Sequence, residues 1–285
     1  MESEIQQIRQ NLDEVCEFLH TVHDDLVFVS SPNFDPLGYP LEDVTGYETP
    51  EDVVEIRNQL EDDRAQVDME LIRNNLSILQ GAVALIEAQI VLQKKAGPSL
   101  KEDIKTCVLS DEHAFIGLFD EAISLSAANS RSLGKSVEPA SVAKIISDVN
   151  EDYARISKGE LSEKLEGMDV PALQEKIFDL RCHFAELSIE KAHLQLAGIY
   201  TDTSYIKYMK RFVDEGIVQD RERIDVNIRE AFRRSADMLP NSEAGLSSIK
   251  RFMGGLYEMG DDNYGTGAFK VERYHPVSIR TVRFF

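Results

Sequence analysis

The stretch GDDNYGTG, residues 260–267, combines two carboxylates, an amide and three glycines, a composition typical of ligand-binding loops. A calcium loop places its ligands at alternate positions and closes with a glutamate at the twelfth. Glu272 is the twelfth residue from Asp261, but Tyr264 and Gly265 stand where ligands are needed. A phosphate loop needs a preceding strand and a following Lys-Ser or Lys-Thr pair, and neither is present. The stretch is therefore predicted to end a helix rather than to bind a ligand.

Histidine and glutamate residues form a second pattern, one that could bind a metal. The spacing Glu-x-x-His places two metal ligands on one helix face, and two such pairs with two further glutamates form the ligand set of a di-iron carboxylate bundle. The candidate ligands are Glu17, His20, Glu87, Glu121, Glu190 and His193. The pairs fall on the first helix and a late one, whereas known bundles place them on the second and fourth. The sequence is therefore predicted to hold no cofactor, and a metal-dependent bundle enzyme remains the alternative.

Nucleophilic catalysis finds little support in the sequence. No serine lies in a G-x-S-x-G setting, and the only adjacent cysteine and histidine are Cys182 and His183. On a helix, consecutive side chains point about 100° apart, so these two are predicted to be a buried thiol beside a surface imidazole. The odd count of widely spaced cysteines, with Cys16 and Cys107, favours a reducing compartment over a disulfide framework. We predict no catalytic residues.

Helical periodicity accounts for most of the chain, and the predicted fold class is all-α. In the first helix, apolar residues recur at three- and four-residue steps from Ile5 to Leu26. A second helix begins at Thr49-Pro50 and meets no breaker before Gly97-Pro98. The predicted helices cover 3–29, 50–96, 100–108, 111–127, 139–157, 170–199, 203–215, 217–238 and 242–259. The result is an elongated helical bundle with one very long, coiled-coil-like helix.

The long helix carries apolar residues at seven-residue intervals, a spacing typical of a coiled-coil seam. The main seam residues are Leu71, Ile78, Leu85 and Leu92. The small residues Gly81 and Ala88 are predicted to let a neighbouring helix approach closely, and Asn74 to fix the register at a cost in stability. Pairing within the chain and pairing with a partner are both open.

Composition along the chain predicts four regions. An acidic N-terminal helical region covers 1–128, a linker rich in small and polar residues covers 129–138, a C-terminal helical region covers 139–260, and an extended tail covers 261–285. In the tail, β-branched and aromatic residues replace the helical pattern, so we predict a strand-like segment that docks on another protein. The alternative is a frayed terminus, or a segment that packs across its own bundle. The predicted partner-binding residues are Leu71, Ile78, Leu85, Leu92, Val277, Ile279, Arg280, Arg283, Phe284 and Phe285.

Charge is unevenly distributed over the 285 residues, whose net formal charge is −20. Residues 1–70 hold 19 acidic and 3 basic side chains, whereas residues 200–285 hold 13 and 14. An acidic front repels phosphate backbones and anionic lipid, so we expect protein partners or self-association and no nucleic acid. The N-terminus has no secretory signal, and the most apolar run, GAVALIEAQIVL, is interrupted by polar residues, so we predict no membrane insertion and an intracellular, cytoplasmic location.

These features favour a non-enzymatic scaffold or structural subunit of a multiprotein assembly. It would act through helix–helix contacts and the docking tail. The alternatives are the metal-dependent bundle enzyme and a viral or organellar structural protein, the latter having the same physical features and differing only in source.

Overall fold

The computed structural model describes residues 2–38, 49–95 and 139–261. In these ranges the chain forms six α-helices and one short 3-10 turn, with no strand, which confirms the all-α prediction. The helices are α1 (Glu2–Ser30), α2 (Pro50–Lys95), α3 (Pro139–Ser157), α4 (Glu163–Glu166), α5 (Val170–Asp214) and α6 (Arg221–Asp261), and the 3-10 turn spans Pro36–Gly38. Two predicted helices, 100–108 and 111–127, the predicted linker and all but the first residue of the predicted tail lie outside these ranges.

Three helices are long, where the sequence predicted one. α2 has 46 residues, α5 has 45 and α6 has 41. α5 replaces the two helices predicted over 170–199 and 203–215, and α6 replaces those predicted over 217–238 and 242–259. At a rise of about 1.5 Å per residue, each long helix extends for about 60–70 Å. The fold is therefore built on three long helices.

The helix starts agree with the local chemistry of the sequence. At the start of α2, Asp52 N–H donates to Thr49 Oγ1 at 3.3 Å and Thr49 N–H donates to Asp52 Oδ2 at 3.2 Å, a reciprocal capping box. At the start of α5, Asp169 Oδ1 accepts from Ala172 N–H at 2.9 Å. The bounds of α3 are those predicted for 139–157. Local capping signals therefore located the helix starts well.

The predicted break near residue 200 was wrong because tertiary contacts satisfy the polar residues there. Asp202 and Thr203 are buried within the bundle rather than exposed in a turn. Thr201 Oγ1 donates to the carbonyl of Ala197, and Thr203 Oγ1 donates to that of Tyr200, both at 2.9 Å. The helix therefore continues through a polar stretch that sequence propensity alone treats as a loop.

The predicted break before Pro240 was also wrong. α6 runs through this residue to Asp261, although proline has no N–H to donate to the carbonyl four residues earlier. On both sides of Pro240, leucines of α6 are buried in one cluster with α1 and α5, namely Leu239 and Leu246. Burial of both halves of the helix in the same core offsets the lost hydrogen bond.

α5 is the central helix and is contacted by α1, α2, α6 and the 3-10 turn. α2 runs antiparallel to it, since Val53 clusters with Phe212 near one end and Leu85 clusters with Leu173 near the other. α6 is also antiparallel to α5, since Ile224 clusters with Phe212 and Arg234 pairs with Asp202. α1 is parallel to α5, as the contacts of Phe18 with His193 and of Asp25 with Lys207 show. Helices from both sides of the predicted linker therefore share their hydrophobic clusters.

The predicted seam of α2 is packed inside the chain. Leu71, Ile78, Leu85 and Leu92 are all buried, with exposed fractions of 0–3%. The buried face of α2 is, however, wider than a coiled-coil seam with two residues per heptad, because Ile72, Leu79 and Ile86 are buried as well. These three residues belong to a cluster that includes Val149 and Ile156 of α3 and Phe184 of α5. α2 is therefore a core helix enclosed between neighbours.

α2 is also long and apolar enough to cross a membrane by length and composition alone. It contains an 18-residue window with a mean hydropathy of 1.5. Of that window, 72% is buried inside the protein, and the core helix of a soluble protein passes the same test. The predicted absence of membrane insertion stays a prediction.

Candidate functional site

The most connected polar group in the described residues is a buried aspartate on α5. Asp202 Oδ2 accepts hydrogen bonds from Arg64 Nη1 of α2 at 3.1 Å and from Ser235 Oγ of α6 at 3.2 Å. Its Oδ1 accepts from Arg234 Nη2 of α6 at 2.8 Å. We refer to Asp202, Arg64, Arg234 and Ser235 as the Asp202 cluster. It joins three long helices through one carboxylate.

Burial dominates the electrostatics of the cluster. Loss of solvent raises the pKa of the Asp202 carboxyl, while Arg64 and Arg234 act in the opposite direction, and the net direction is upward. Arg64 is shared, since its Nε donates to Asp68 Oδ1 at 3.1 Å. Both carboxylate oxygens of Asp202 already accept hydrogen bonds. The cluster is therefore suited to bracing the helices rather than to transferring protons.

Gly198 makes room for the arginine of this cluster. A Cβ at position 198 would stand 2.4 Å from Arg64 Nη1 and 2.9 Å from its Cζ, closer than side chains ever pack. At Gly81, where the sequence predicted close approach of a helix, an added Cβ would meet no atom within 4 Å. The prediction was wrong for Gly81, whereas Ala88 is fully buried in the cluster with Leu173 of α5. A close approach that excludes a side chain occurs at Gly198.

A cavity of about 240 Å³ opens beside the Asp202 cluster, between α2, α5 and α6. Its lining includes three arginines and three carboxylates, namely Arg64, Arg223, Arg234, Glu61, Asp202 and Glu230. Asn227 Nδ2 donates across it to Glu61 Oε1 and to Tyr205 Oη, each at 3.3 Å, and burial raises the pKa of the Tyr205 phenol. The charges balance and many of the polar groups bond to one another. The lining therefore presents no excess of one charge to a ligand, although Arg234 Nε is buried without a hydrogen-bond partner among the described residues.

The candidate metal ligands do not converge in the described residues. Glu87 is buried and accepts from Arg155 Nη1 at 2.9 Å and from Ser162 N–H at 2.7 Å. Glu190 accepts from Asn74 Nδ2 at 3.0 Å. Within the described ranges, no group of three histidine, cysteine or carboxylate side chains is placed to hold a metal. Glu121 lies outside those ranges.

The adjacent cysteine and histidine have the environments that the sequence predicted. Cys182 is buried, and loss of solvent, followed by nearby carboxylates, raises the pKa of its thiol to about 12. The side chain of His183 is exposed, with its Nδ1 3.7 Å from Glu186 Oε2. A thiol with so high a pKa is not a nucleophile at neutral pH, so this pair does not form a catalytic dyad.

An exposed apolar surface lies where α1 ends. Val27, Phe28 and Leu37 are 54%, 47% and 51% exposed, and we call these three residues the end patch. The Phe28 ring is held at 5.2 Å, centroid to centroid, from the ring of buried Phe34, which ties the end of α1 to the following turn. Val27 and Phe28 are consecutive, and Phe28 contacts the segment that leads to Leu37. Exposed groups of large apolar side chains are typical of interaction sites.

The end patch also lies close to the C-terminal end of α5. Lys207 Nζ of α5 forms an ion pair with Asp25 Oδ2 of α1 at 3.0 Å, and Lys210 Nζ lies 5.1 Å above the Phe34 ring. Two more exposed apolar residues, Val54 of α2 and Val226 of α6, lie at this same end of the bundle. Exposed acidic residues accompany these side chains, namely Asp24, Asp35, Glu51 and Glu55. This end therefore carries apolar and acidic side chains together with the basic Lys207 and Lys210.

The predicted partner-binding residues divide into two sets. Leu71, Ile78, Leu85 and Leu92 pack inside the chain and present no surface to a partner, because α3 and α5 cover α2. The tail residues Val277, Ile279, Arg280, Arg283, Phe284 and Phe285 lie outside the described ranges.

Sequence reasoning missed Asp202 and its partners, although a signal was present. Buried polar residues recur every seven positions along α5, at Gln174, Arg181, Ser188, Gln195 and Asp202. A seven-residue repeat marks one face of a packed helix whether the repeated side chains are apolar or polar. The polar repeat therefore marks, in the sequence, the face of α5 that is buried in the bundle.

No protein-family model, curated protein or solved structure matches the chain. The grounds for a function are therefore the geometry and chemistry of the chain itself.

Proposed function

We propose that this protein is a non-enzymatic structural or scaffold subunit of a multiprotein assembly. It acts through helix–helix contacts and the docking tail. The observation that carries the proposal is the end patch, three large apolar side chains about half exposed at one end of a bundle of long helices. Burying such a surface against a partner is favourable by roughly 25 cal/mol per Å² of apolar area.

The Asp202 cluster supports a structural role. Its hydrogen bonds connect α2, α5 and α6, and its charges pair with one another instead of facing a substrate. Buried charges of this kind stabilise little overall, but they favour one arrangement of the helices over others. A bundle with a fixed arrangement can hold binding surfaces about 60–70 Å apart, which a spacer or scaffold requires.

The metal-dependent enzyme receives less support. Two of its candidate ligands, Glu87 and Glu190, already accept hydrogen bonds from Arg155 and Asn74. Metal analysis of protein purified without added iron tests this alternative, since near-stoichiometric iron or manganese would contradict the scaffold proposal.

Co-purification from the native cell tests the scaffold proposal. We expect the tagged full chain to bring down one or more proteins in stoichiometric amounts. The double variant Val27→Asp/Leu37→Asp should lose those that bind at the end patch, untagged copies of the chain included, because two charges would enter the apolar contact. Tyr200→Asp is the matched control, since Tyr200 is an exposed apolar residue of α5 outside the end patch. A chain that is monomeric and accompanied by no stoichiometric protein would contradict the proposal.

A further inference from the structure

We propose that the end patch of one copy binds residues 273–285 of a second copy, so that copies associate head to tail. This inference rests on the proposed function and names the partner of its docking tail. We call residues 273–285 the tail segment. Its sequence, RYHPVSIRTVRFF, holds three arginines, two terminal phenylalanines and no acidic residue.

The chemistry of the two surfaces is complementary. The end patch presents Val27, Phe28 and Leu37 beside exposed Asp24 and Asp35. Apolar and aromatic side chains of the tail segment match the three apolar residues, and its arginines match the carboxylates. Opposite charges at the edge of an apolar contact speed association and select the partner. The same acidic edge disfavours another acidic segment of this chain as the occupant.

Distance along the fold favours a second copy over the same copy. α6 begins at Arg221, at the end of the bundle that carries the end patch, since Ile224 clusters with Val53 and Phe212. Its 41 residues form a helix about 60 Å long that runs back along α5, as the pairing of Arg234 with Asp202 and the packing of Leu246 in the cluster with α1 and α5 show for its first 26 residues. α6 therefore leads the chain away from the end patch.

The chain that follows α6 is too short to bring the tail segment back to the end patch of the same copy. Fifteen residues separate Asp261 from Val277, and fifteen residues span at most about 54 Å when fully extended. A flexible chain of that length has an end-to-end distance of only about 20 Å. The tail segment would have to return about 60 Å to lie on its own end patch, whereas a second copy imposes no such requirement.

This arrangement has a definite consequence for assembly. The donor segment and the acceptor surface are different parts of the molecule, so each copy can bind two others. Such heterologous contacts form a ring if the rotation closes and an open chain of copies if it does not.

Mixing two complementary variants tests the inference. Val27→Asp/Leu37→Asp removes the acceptor and keeps the tail segment, while deletion of residues 276–285 removes most of the donor and keeps the acceptor. In sedimentation velocity, we expect the wild type to associate with increasing concentration and each variant alone to remain monomeric. The equimolar mixture should form a dimer and nothing larger, because only one donor and one acceptor remain in each pair. Circular dichroism checks that both variants keep the wild-type helix content.

A peptide of residues 273–285 measures the contact directly. By fluorescence anisotropy it should bind the deletion variant, and Val27→Asp/Leu37→Asp introduced into that variant should weaken binding by at least about tenfold. Tyr200→Asp should change the affinity by less than about twofold.

Three outcomes would overturn the inference. Wild-type association that survives Val27→Asp/Leu37→Asp would show that the end patch is not the acceptor. Association that survives the deletion would show that the tail segment is not the donor. A wild type that stays monomeric and does not bind the peptide would exclude docking between copies. Each outcome leaves the scaffold proposal to be decided by co-purification, so the two failures are distinguishable.

Discussion

At Gly198, the absence of a side chain decides whether Arg64 can reach Asp202. Gly198→Ala would place a methyl group 2.4 Å from the present position of Arg64 Nη1, so the guanidinium must shift and its bond to Asp202 must weaken. We expect a loss of about 1–3 kcal/mol in the free energy of unfolding, measured by urea denaturation. Gly81→Ala is the control, because its methyl group meets no neighbour and should stabilise α2 by about 0.5–1 kcal/mol. Equal effects at both positions would contradict this account.

The second prediction concerns the substitution of Arg64. Arg64→Met keeps an unbranched apolar stem, although a shorter one, and leaves Asp202 buried with one arginine instead of two. Removal of one partner of a buried ion pair is expected to cost about 3–5 kcal/mol. Arg221→Met is the control, since Arg221 is largely exposed and its pair with Asp225 spans 3.8 Å; the expected change is about 0–1 kcal/mol.

The cost of Arg64→Met should depend on pH with a defined sign. Burial raises the pKa of Asp202 and Arg64 lowers it, so the variant should hold the Asp202 proton to a still higher pH. A folded-state pKa above the unfolded value means that stability increases as pH falls through the folded pKa. The stability difference between wild type and variant should therefore shrink on acidification. Urea denaturation from neutral to mildly acidic pH checks this, and a difference that grows would contradict it.

At the scale of the elements, the pairing of α2 with α5 is the most extensive helix–helix contact in the described residues. Leu85 packs in a cluster with Leu173 and Ile177 of α5. Leu85→Asp would bury an unpaired charge there and should cost several kcal/mol, about 3–5, as seen for buried ion pairs that lose a partner. Gln80→Asp, on an exposed position of the same helix, should change stability by less than about 0.5 kcal/mol. Unchanged thermal melting of Leu85→Asp would show that the packing between α2 and α5 is wrong.

Sequence reasoning located the elements that local chemistry defines. The capping box at Thr49 and Asp52 starts α2, and α3 has the predicted bounds. It failed where partners distant in sequence decide the outcome. Asp202 and Thr203 look like loop residues until Arg64 and α6 are placed beside them, because only tertiary hydrogen bonds offset the cost of burying them. The end patch was missed for the same reason, since exposure is a property of the assembled helices.

At the scale of the whole molecule, charge asymmetry predicts association that salt weakens. The first 70 residues carry a net charge of −16 and residues 200–285 carry +1. Contacts between these regions of different copies are screened over a Debye length of about 10 Å at 0.1 M salt and about 3 Å at 1 M. Sedimentation at low and high salt should show smaller average mass at high salt. An unchanged mass would show that electrostatic attraction does not contribute to assembly.

The central claim is that the protein works by assembly and that the tail supplies the contact. The most direct test is the concentration dependence of molar mass, measured by sedimentation equilibrium, for the full chain and for the chain lacking residues 276–285. The account predicts that the mass of the full chain rises with concentration, while the shortened chain keeps its helix content and remains a monomer. If the two chains show the same mass at every concentration, the tail is not a docking segment between copies.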